Sequence, residues 1–335
     1  MPPLQVESTR GSLVESVHRV AVAVVDPAGR LVASNDDPDL VTFWRSAAKP
    51  FQALPLLDDG VVDHFGLDDE DLALACASHS SEPVHLAGVD RFLARVGAKE
   101  TDLACGPHPP LSSTVAREVI ARGIGLTARW SNCSGKHAGM LGLANHHRWP
   151  TAGYERAGHP VQTRIQAEVE RWTDLDGKRL VLAVDGCTTV CFGLPLRAMA
   201  LAYARFGVAE RGSVRRLWRA MTGHPGLVAG TGRLCTELMS AWPGEIVAKI
   251  GAAGIYSAAI PSLRLGIAIK VLDGNFETVG VALLAVLRQV LARHASDSGL
   301  AALASLGPAH AEPPITTTRG EVIGVLRATG TLAFS

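Results

Sequence analysis

The feature that most constrains this chain is the run Val20-Ala21-Val22-Ala23-Val24-Val25, which stops at Asp26-Pro27-Ala28-Gly29 and resumes as Leu31-Val32-Ala33. Valine is stiff at its first torsion and packs well on a pleated surface, so an unbroken run of this kind reads as a strand buried on both faces. Asp-Pro-Ala-Gly is turn chemistry, because proline presets one torsion and glycine reaches conformations closed to other residues. The spacing predicts a β-hairpin over residues 18–34.

The segments after this hairpin set the fold class. Phe51, Leu54 and Leu57 recur at helical spacing, so a helix is predicted to begin near Ser46, with Ser46 as its cap and Pro50 in its first turn. Pro55 leaves its length open. Further helical patterns cover 69–77, 84–96, 113–122, 161–172, 195–205, 213–221 and 278–293. Strands are predicted at 180–184, 245–250, 265–271 and 322–326, and the Ala/Pro-rich stretch 296–314 reads as a surface connection. A hairpin first, helices between and strands late favour an α+β fold, a mixed, mainly antiparallel sheet layered with helices, over a regularly alternating parallel sheet.

At 335 residues the chain is long enough for about two domains of roughly 150 residues. No composition break, charge block or repeat divides it, so one catalytic domain over 1–335 is expected. Hydrophobic residues make up 47% and charged residues 19%, enough to bury a core without disulfides or a structural metal. The 32 basic and 32 acidic residues cancel, which removes the surplus expected of a dedicated nucleic-acid binder. The sequence Met1-Pro2-Pro3-Leu4-Gln5-Val6-Glu7 lacks the basic start and apolar core of a signal peptide. The longest apolar run, 279–287, is too short to span a bilayer. Cys76, Cys105, Cys133, Cys187, Cys191 and Cys235 are scattered without a C-x-x-C pair. They read as free thiols in a reducing compartment, so a cytoplasmic protein without membrane or nucleic-acid partners is expected.

The best local signal for chemistry is Ser46-x-x-Lys49. Residues three apart are neighbours on a helix, so the amine can reach the hydroxyl. A serine becomes a nucleophile when a base takes its proton, and a desolvated lysine can serve. A capping serine with a solvated lysine is the plain alternative. Lys249, on the apolar strand Val247-Ala248-Lys249-Ile250-Gly251, would match the Lys-Thr-Gly-like strand of Ser-x-x-Lys hydrolases, or be an edge-strand lysine. Cys76-Ala77-Ser78-His79-Ser80-Ser81-Glu82 reads equally as a site loop or as two helix caps. Asn132-Cys133-Ser134-Gly135-Lys136-His137-Ala138-Gly139-Met140 gathers a thiol, an amine and an imidazole, and is no phosphate loop. Asp185-Gly186-Cys187-Thr188 lies at a strand end, where ligand groups often sit. From spacing alone, Cys133 and Cys187 are weak zinc candidates.

Taken together, these blocks resemble the rhizobial-type L-asparaginases. The resemblance rests on Arg45-Ser46-Ala47-Ala48-Lys49-Pro50-Phe51-Gln52, Cys76-Ala77-Ser78-His79, Gly106-Pro107-His108, Asn132 through Met140, Asp185-Gly186-Cys187, His224-Pro225 with Val228-Ala229-Gly230-Thr231-Gly232-Arg233, and Lys249-Ile250-Gly251-Ala252, in that order. It implies a glutaminase and serine β-lactamase-like fold, usually a homodimer, hydrolysing L-asparagine to L-aspartate and ammonia through a serine acyl-enzyme. Carried over by motif, Ser46 is the nucleophile with Lys49 beside it, and Ser78 and Lys249 form a second Ser/Lys pair. Cys133, Lys136 and Cys187 resemble a zinc site of one ion per chain that aids substrate binding. His79, Arg233 and Asp185 are the expected substrate contacts. Cys235 and Ala253 depart from the pattern, which leads to an acidic residue at each place. Thr-Gly-Gly-Thr, a mark of another asparaginase class, is absent. Alternative readings are an amidohydrolase for glutamine or a β-lactam, or a zinc-dependent amino-acid-binding protein without turnover. One methylene is worth only about 1–3 kcal/mol in a pocket, so asparagine against glutamine is not set by these residues.

Overall fold

The predicted hairpin is present as the strands Leu13–Val25 and Leu31–Asn35, in a computed structural model that describes residues 2–335. Val22 faces Asn35, Ala23 faces Ser34 and Val24 faces Ala33, and every residue from Val20 to Val25 is buried. The long strand works in two halves. Its second half pairs Leu265–Val271 on the edge opposite the hairpin, while its first half pairs Gln5–Arg10. The sheet continues through Ile255–Ile260 to Val247–Gly251 at one side and through Val322–Thr329 to Pro314–Thr316 at the other. Ala333–Phe334 adds to Leu31–Asn35, and the paired strands of this nine-stranded sheet run antiparallel. The expected mixed, mainly antiparallel α+β class is what the chain adopts.

These strands form the first of two compact units, made of the stretches up to Ala47, Leu194–Val208 and Glu237–Ser335. All six residues of Ile255–Ile260 are buried, so both faces of the sheet are covered there. The helices Leu196–Val208 and Thr278–Arg293 pack against these strands. The stretch expected to be a plain connection instead holds the helices Asp297–Ser305 and Pro308–Ala311. Leu300-Ala301-Ala302-Leu303-Ala304 are strong helix formers, and the turn-rich flanks mask them.

The second unit, Ala48–Gly193 with Ala209–Thr236, is largely helical. Its hub is the helix Ser134–His147, whose residues Ser134 through Ala144 are all buried. A helix buried all round must be approached from every side. Gly135, Gly139 and Gly142 make that possible. A Cβ on Gly135 would lie 2.3 Å from the Leu74 carbonyl oxygen, and one on Gly142 would lie 2.8 Å from Val96 Cγ1. The helices Lys49–Asp58, Asp69–Ala75 and Pro83–Arg95 pack onto this hub. Asp68 and Asp71 cap the second of these reciprocally, each side chain accepting the other's backbone N–H. A short hairpin, Val181–Val184 with the strand Val190–Pro195, carries Cys187 in its turn.

Candidate active site

Lys49 opens the helix Lys49–Asp58 and is completely buried. A lysine amine out of water needs an acceptor for each N–H. Three converge on it within the second unit: the Ala77 carbonyl, Ser78 Oγ at 3.2 Å and Cys133 Sγ at 3.2 Å. Three separate sequence blocks thus meet at one nitrogen.

The loop that carries Ser78 is stitched on two sides. The Ser78 N–H donates to Val228 O at 3.0 Å and the His79 N–H to Asn132 O at 3.1 Å. Ser80 Oγ donates to Ala229 O at 2.9 Å, and Ser81 Oγ to Trp130 O at 3.0 Å. Arg233, expected at the substrate, donates to the Ser78 carbonyl at 2.7 Å and so stands beside this loop. His79 is expected at the substrate too. It is fully buried, its Nδ1 accepts the Ser81 N–H, and its Nε2 lies 2.9 Å from Ser134 Oγ, which itself donates to Arg129 O. Nε2 therefore carries the proton, and both ring nitrogens are engaged. Burial pushes the His79 pKa well down, and the ring is held by its neighbours under the loop. His85 stacks on it at 5.3 Å, and burial lowers its pKa too.

The expected metal residues also come together within the second unit. Lys136 Nζ donates to Cys187 Sγ at 3.0 Å and to Thr189 Oγ1 at 2.7 Å. A hydrogen bond between Cys133 and Cys187 lowers the Cys187 pKa and raises that of Cys133. Burial opposes charge on Lys136, but the Cys187 and Cys133 sulfurs and Asp185 outweigh it and raise its pKa. Asp185 lies in the hairpin turn, its backbone N–H bound to Thr189 O and its carbonyl accepting from the Thr188 N–H. Among the described residues no three His, Cys, Asp or Glu side chains converge on a metal position. Cys133, Cys187 and Lys136 bring two sulfurs and one amine into contact with one another, and a donor set of this chemistry fits zinc, which prefers nitrogen and sulfur and takes four ligands. Cys105 is a bystander thiol, pushed up to about 11 by burial.

Ser46 and Lys249 belong to the first unit. Ser46 is half-buried in the 3₁₀ turn Arg45–Ala48, and the α-helix starts only at Lys49, so Ser46 precedes the helix instead of capping it. Arg45, immediately before it, holds a left-handed φ of 54°. That conformation is strained for a side-chain-bearing residue and recurs at functional turns. The turn is pinned at both ends: Trp44 Nε1 donates to Ser257 Oγ at 3.2 Å, and Tyr203 Oη donates to Ala47 O at 2.8 Å. Ser257 is the register partner of Lys249. A Cβ on Gly251, at the end of the Lys249 strand, would lie 3.0 Å from Trp44 O. The strand of Lys249 therefore runs beside the turn of Ser46. Lys249 itself is fully buried, and its Nζ donates to Ile250 O at 3.0 Å. Of the two departures, Cys235 is buried and Ala253 sits in the strand-to-strand turn at a φ of 57°; nothing in the structure explains either.

No curated protein sequence matches the chain. Solved structures similar to it include a β-lactamase from Mycobacterium bovis, at 14% identity and a TM-score of 0.44, covering 82% of this chain and 95% of that one. A penicillin-binding protein homologue from Pyrococcus abyssi, described as octameric, aligns at 12% identity and a TM-score of 0.37 over 82% of this chain and 73% of that one. Simvastatin synthase from Aspergillus terreus aligns at 11% identity and a TM-score of 0.32 over 75% and 84%. Superpositions this loose carry no weight for function or assembly. The sequence itself is more specific: the model of the L-asparaginase II family matches residues 6–328, and the chain belongs to that family.

Proposed function

We propose that the protein hydrolyses the side-chain amide of L-asparagine through an acyl-enzyme on Ser46. The observation that carries this reading is a serine on a strained, doubly pinned turn, three residues before a fully buried lysine, in a chain of the L-asparaginase II family. Lys49 takes the Ser46 proton as the hydroxyl attacks the carboxamide carbon, a step that requires its amine form. The tetrahedral oxyanion needs backbone N–H donors. Ammonia leaves with a proton, and water then hydrolyses the aspartyl ester. Ser78 and Lys249 act as the second Ser/Lys pair, while Arg233 and Asp185 hold the charged ends of the amino acid.

Cys133, Lys136 and Cys187 would hold zinc, and a bound zinc ion supplies a Lewis-acidic seat for the substrate's polar end. Lys136 must give up its proton to bind, so metal affinity falls as pH falls. A homodimer is proposed on the family resemblance. The six free cysteines fit a reducing, cytoplasmic setting, and no helix among the described residues is long and apolar enough to cross a membrane.

One observation favours a second reading, in which Ser78 is the nucleophile: its Oγ is 3.2 Å from Lys49 Nζ. Against it, the Ser78 N–H is committed to Val228 O and has no hydrogen left for an oxyanion. Ammonia release from L-asparagine and L-glutamine, and ring opening of a β-lactam, by the purified protein test the proposal. Turnover of asparagine above the other two supports it, and no ammonia from asparagine overturns it.

A further inference from the structure

Tyr154 and His137 have no part in the proposed reaction, yet both are almost completely buried beside the Cys187 hairpin. The Ala104 N–H donates to Tyr154 Oη at 2.9 Å, so the oxygen has an incoming donor and the phenolic proton is left to give. His137 Nδ1 stands 2.6 Å away, and the rings meet edge to face at 5.6 Å. Nδ1 is thereby an acceptor, and the imidazole hydrogen sits on Nε2. His137 Nε2 is buried without a well-formed hydrogen bond. An N–H left so in the interior loses the hydrogen bond it would make to water. The His137 ring lies within hydrogen-bonding reach of the Cys187 side chain. A thiolate accepts from such a donor, and Cys187 already takes Lys136 on another side at 3.0 Å. Tyr154 is itself anchored, because Gln162 Nε2 donates to its carbonyl at 2.9 Å.

We infer that Ala104 N–H, Tyr154 and His137 form a hydrogen-bond chain that orients the Cys187 sulfur toward the metal position, making His137 and Tyr154 positioning residues of that site. The inference rests on zinc binding by Cys133, Lys136 and Cys187. It differs from plain core packing in what it predicts: removing one phenolic oxygen changes metal binding while leaving the two sulfurs and the amine untouched. Partners of this kind that orient a metal's ligands are typically worth about 10- to 100-fold in affinity.

The test uses the full chain loaded with cobalt(II), whose sulfur-to-metal absorption reports the thiolates, and zinc competition against a chromophoric chelator. Tyr154→Phe is expected to weaken zinc by about 10- to 100-fold and to shift the cobalt–thiolate band. His137→Gln keeps an N–H donor near the Nε2 position and is expected to lose less than His137→Leu. A wild-type band that is unchanged in Tyr154→Phe and in His137→Leu, with zinc held equally tightly, would overturn the inference alone. A wild-type protein that takes up neither zinc nor cobalt would overturn the zinc reading and this chain of bonds with it.

Discussion

Ser46→Ala removes one oxygen from a turn whose anchors are Trp44 and Tyr203, so the fold has no reason to change. If Ser46 forms the acyl-enzyme, kcat should drop by about 10⁴-fold or more with the unfolding curve preserved. Ser78→Ala is expected to cost activity without moving the covalent bond. The reverse pattern would transfer the nucleophile to Ser78. His79 and His85 yield a stability prediction at the same scale. Burial holds both pKa values below the free histidine value of about 6.5. Their neutral forms therefore support the fold above that pH. As pH falls below it, the unfolded chain takes up protons that the folded chain refuses, and stability is lost. Each histidine contributes a slope of about 1.4 kcal/mol per pH unit until its folded pKa is reached. Urea midpoints at pH 7.5 and 5.5 should differ, and His79→Gln should flatten the difference. Equal midpoints for the wild-type protein would show these rings charge without penalty.

At the scale of elements, the glycine stripe of Ser134–His147 sets how closely its neighbours pack. Gly135→Ala places a carbon 2.3 Å from the Leu74 carbonyl oxygen, which is backbone and cannot swing aside. Overpacking of this kind costs about 1–3 kcal/mol or more, and chemical denaturation should register it together with weaker metal uptake through the adjacent Lys136. An unchanged midpoint would mean that the hub helix is free to shift. The same helix shows why sequence reading stops where it does. Its glycines and polar residues look like a loop, because the close packing that excuses them comes from elsewhere in the chain. Ile255–Ile260 escaped for a related reason: Ser257, Ala258 and Ala259 carry no strand signal, and burial between two partner strands supplies the stability. Gln5–Arg10 is polar at most positions and pairs only because Leu13–Val25 and Val322–Thr329 flank it. The elements with a clean period, such as Leu265–Val271, Ser113–Arg122 and Thr278–Arg293, were legible to the residue. In the site, Ser46, Lys49, Cys133 and Cys187 stand in motifs. Thr189 and Tyr154 do not, since their roles exist only once the hairpin and the loop before Pro160–Thr173 are folded around Lys136 and His137.

For the whole molecule, the proposed function requires one zinc per chain bound by Cys133, Lys136 and Cys187. Metal analysis of protein purified without added zinc should find it, and replacing both cysteines should abolish it. Chelation or Cys133→Ser should raise KM more than it lowers kcat, as loss of binding shared by substrate and transition state does. A fall confined to kcat would instead put the metal in the chemical step. The central claim is the covalent one. Enzyme quenched during turnover of L-asparagine, digested and read by mass spectrometry should carry an aspartyl ester on the peptide holding Ser46, and the adduct should vanish in Ser46→Ala. An aspartyl adduct on the Ser78 peptide, or turnover at the wild-type rate by Ser46→Ala, would contradict it.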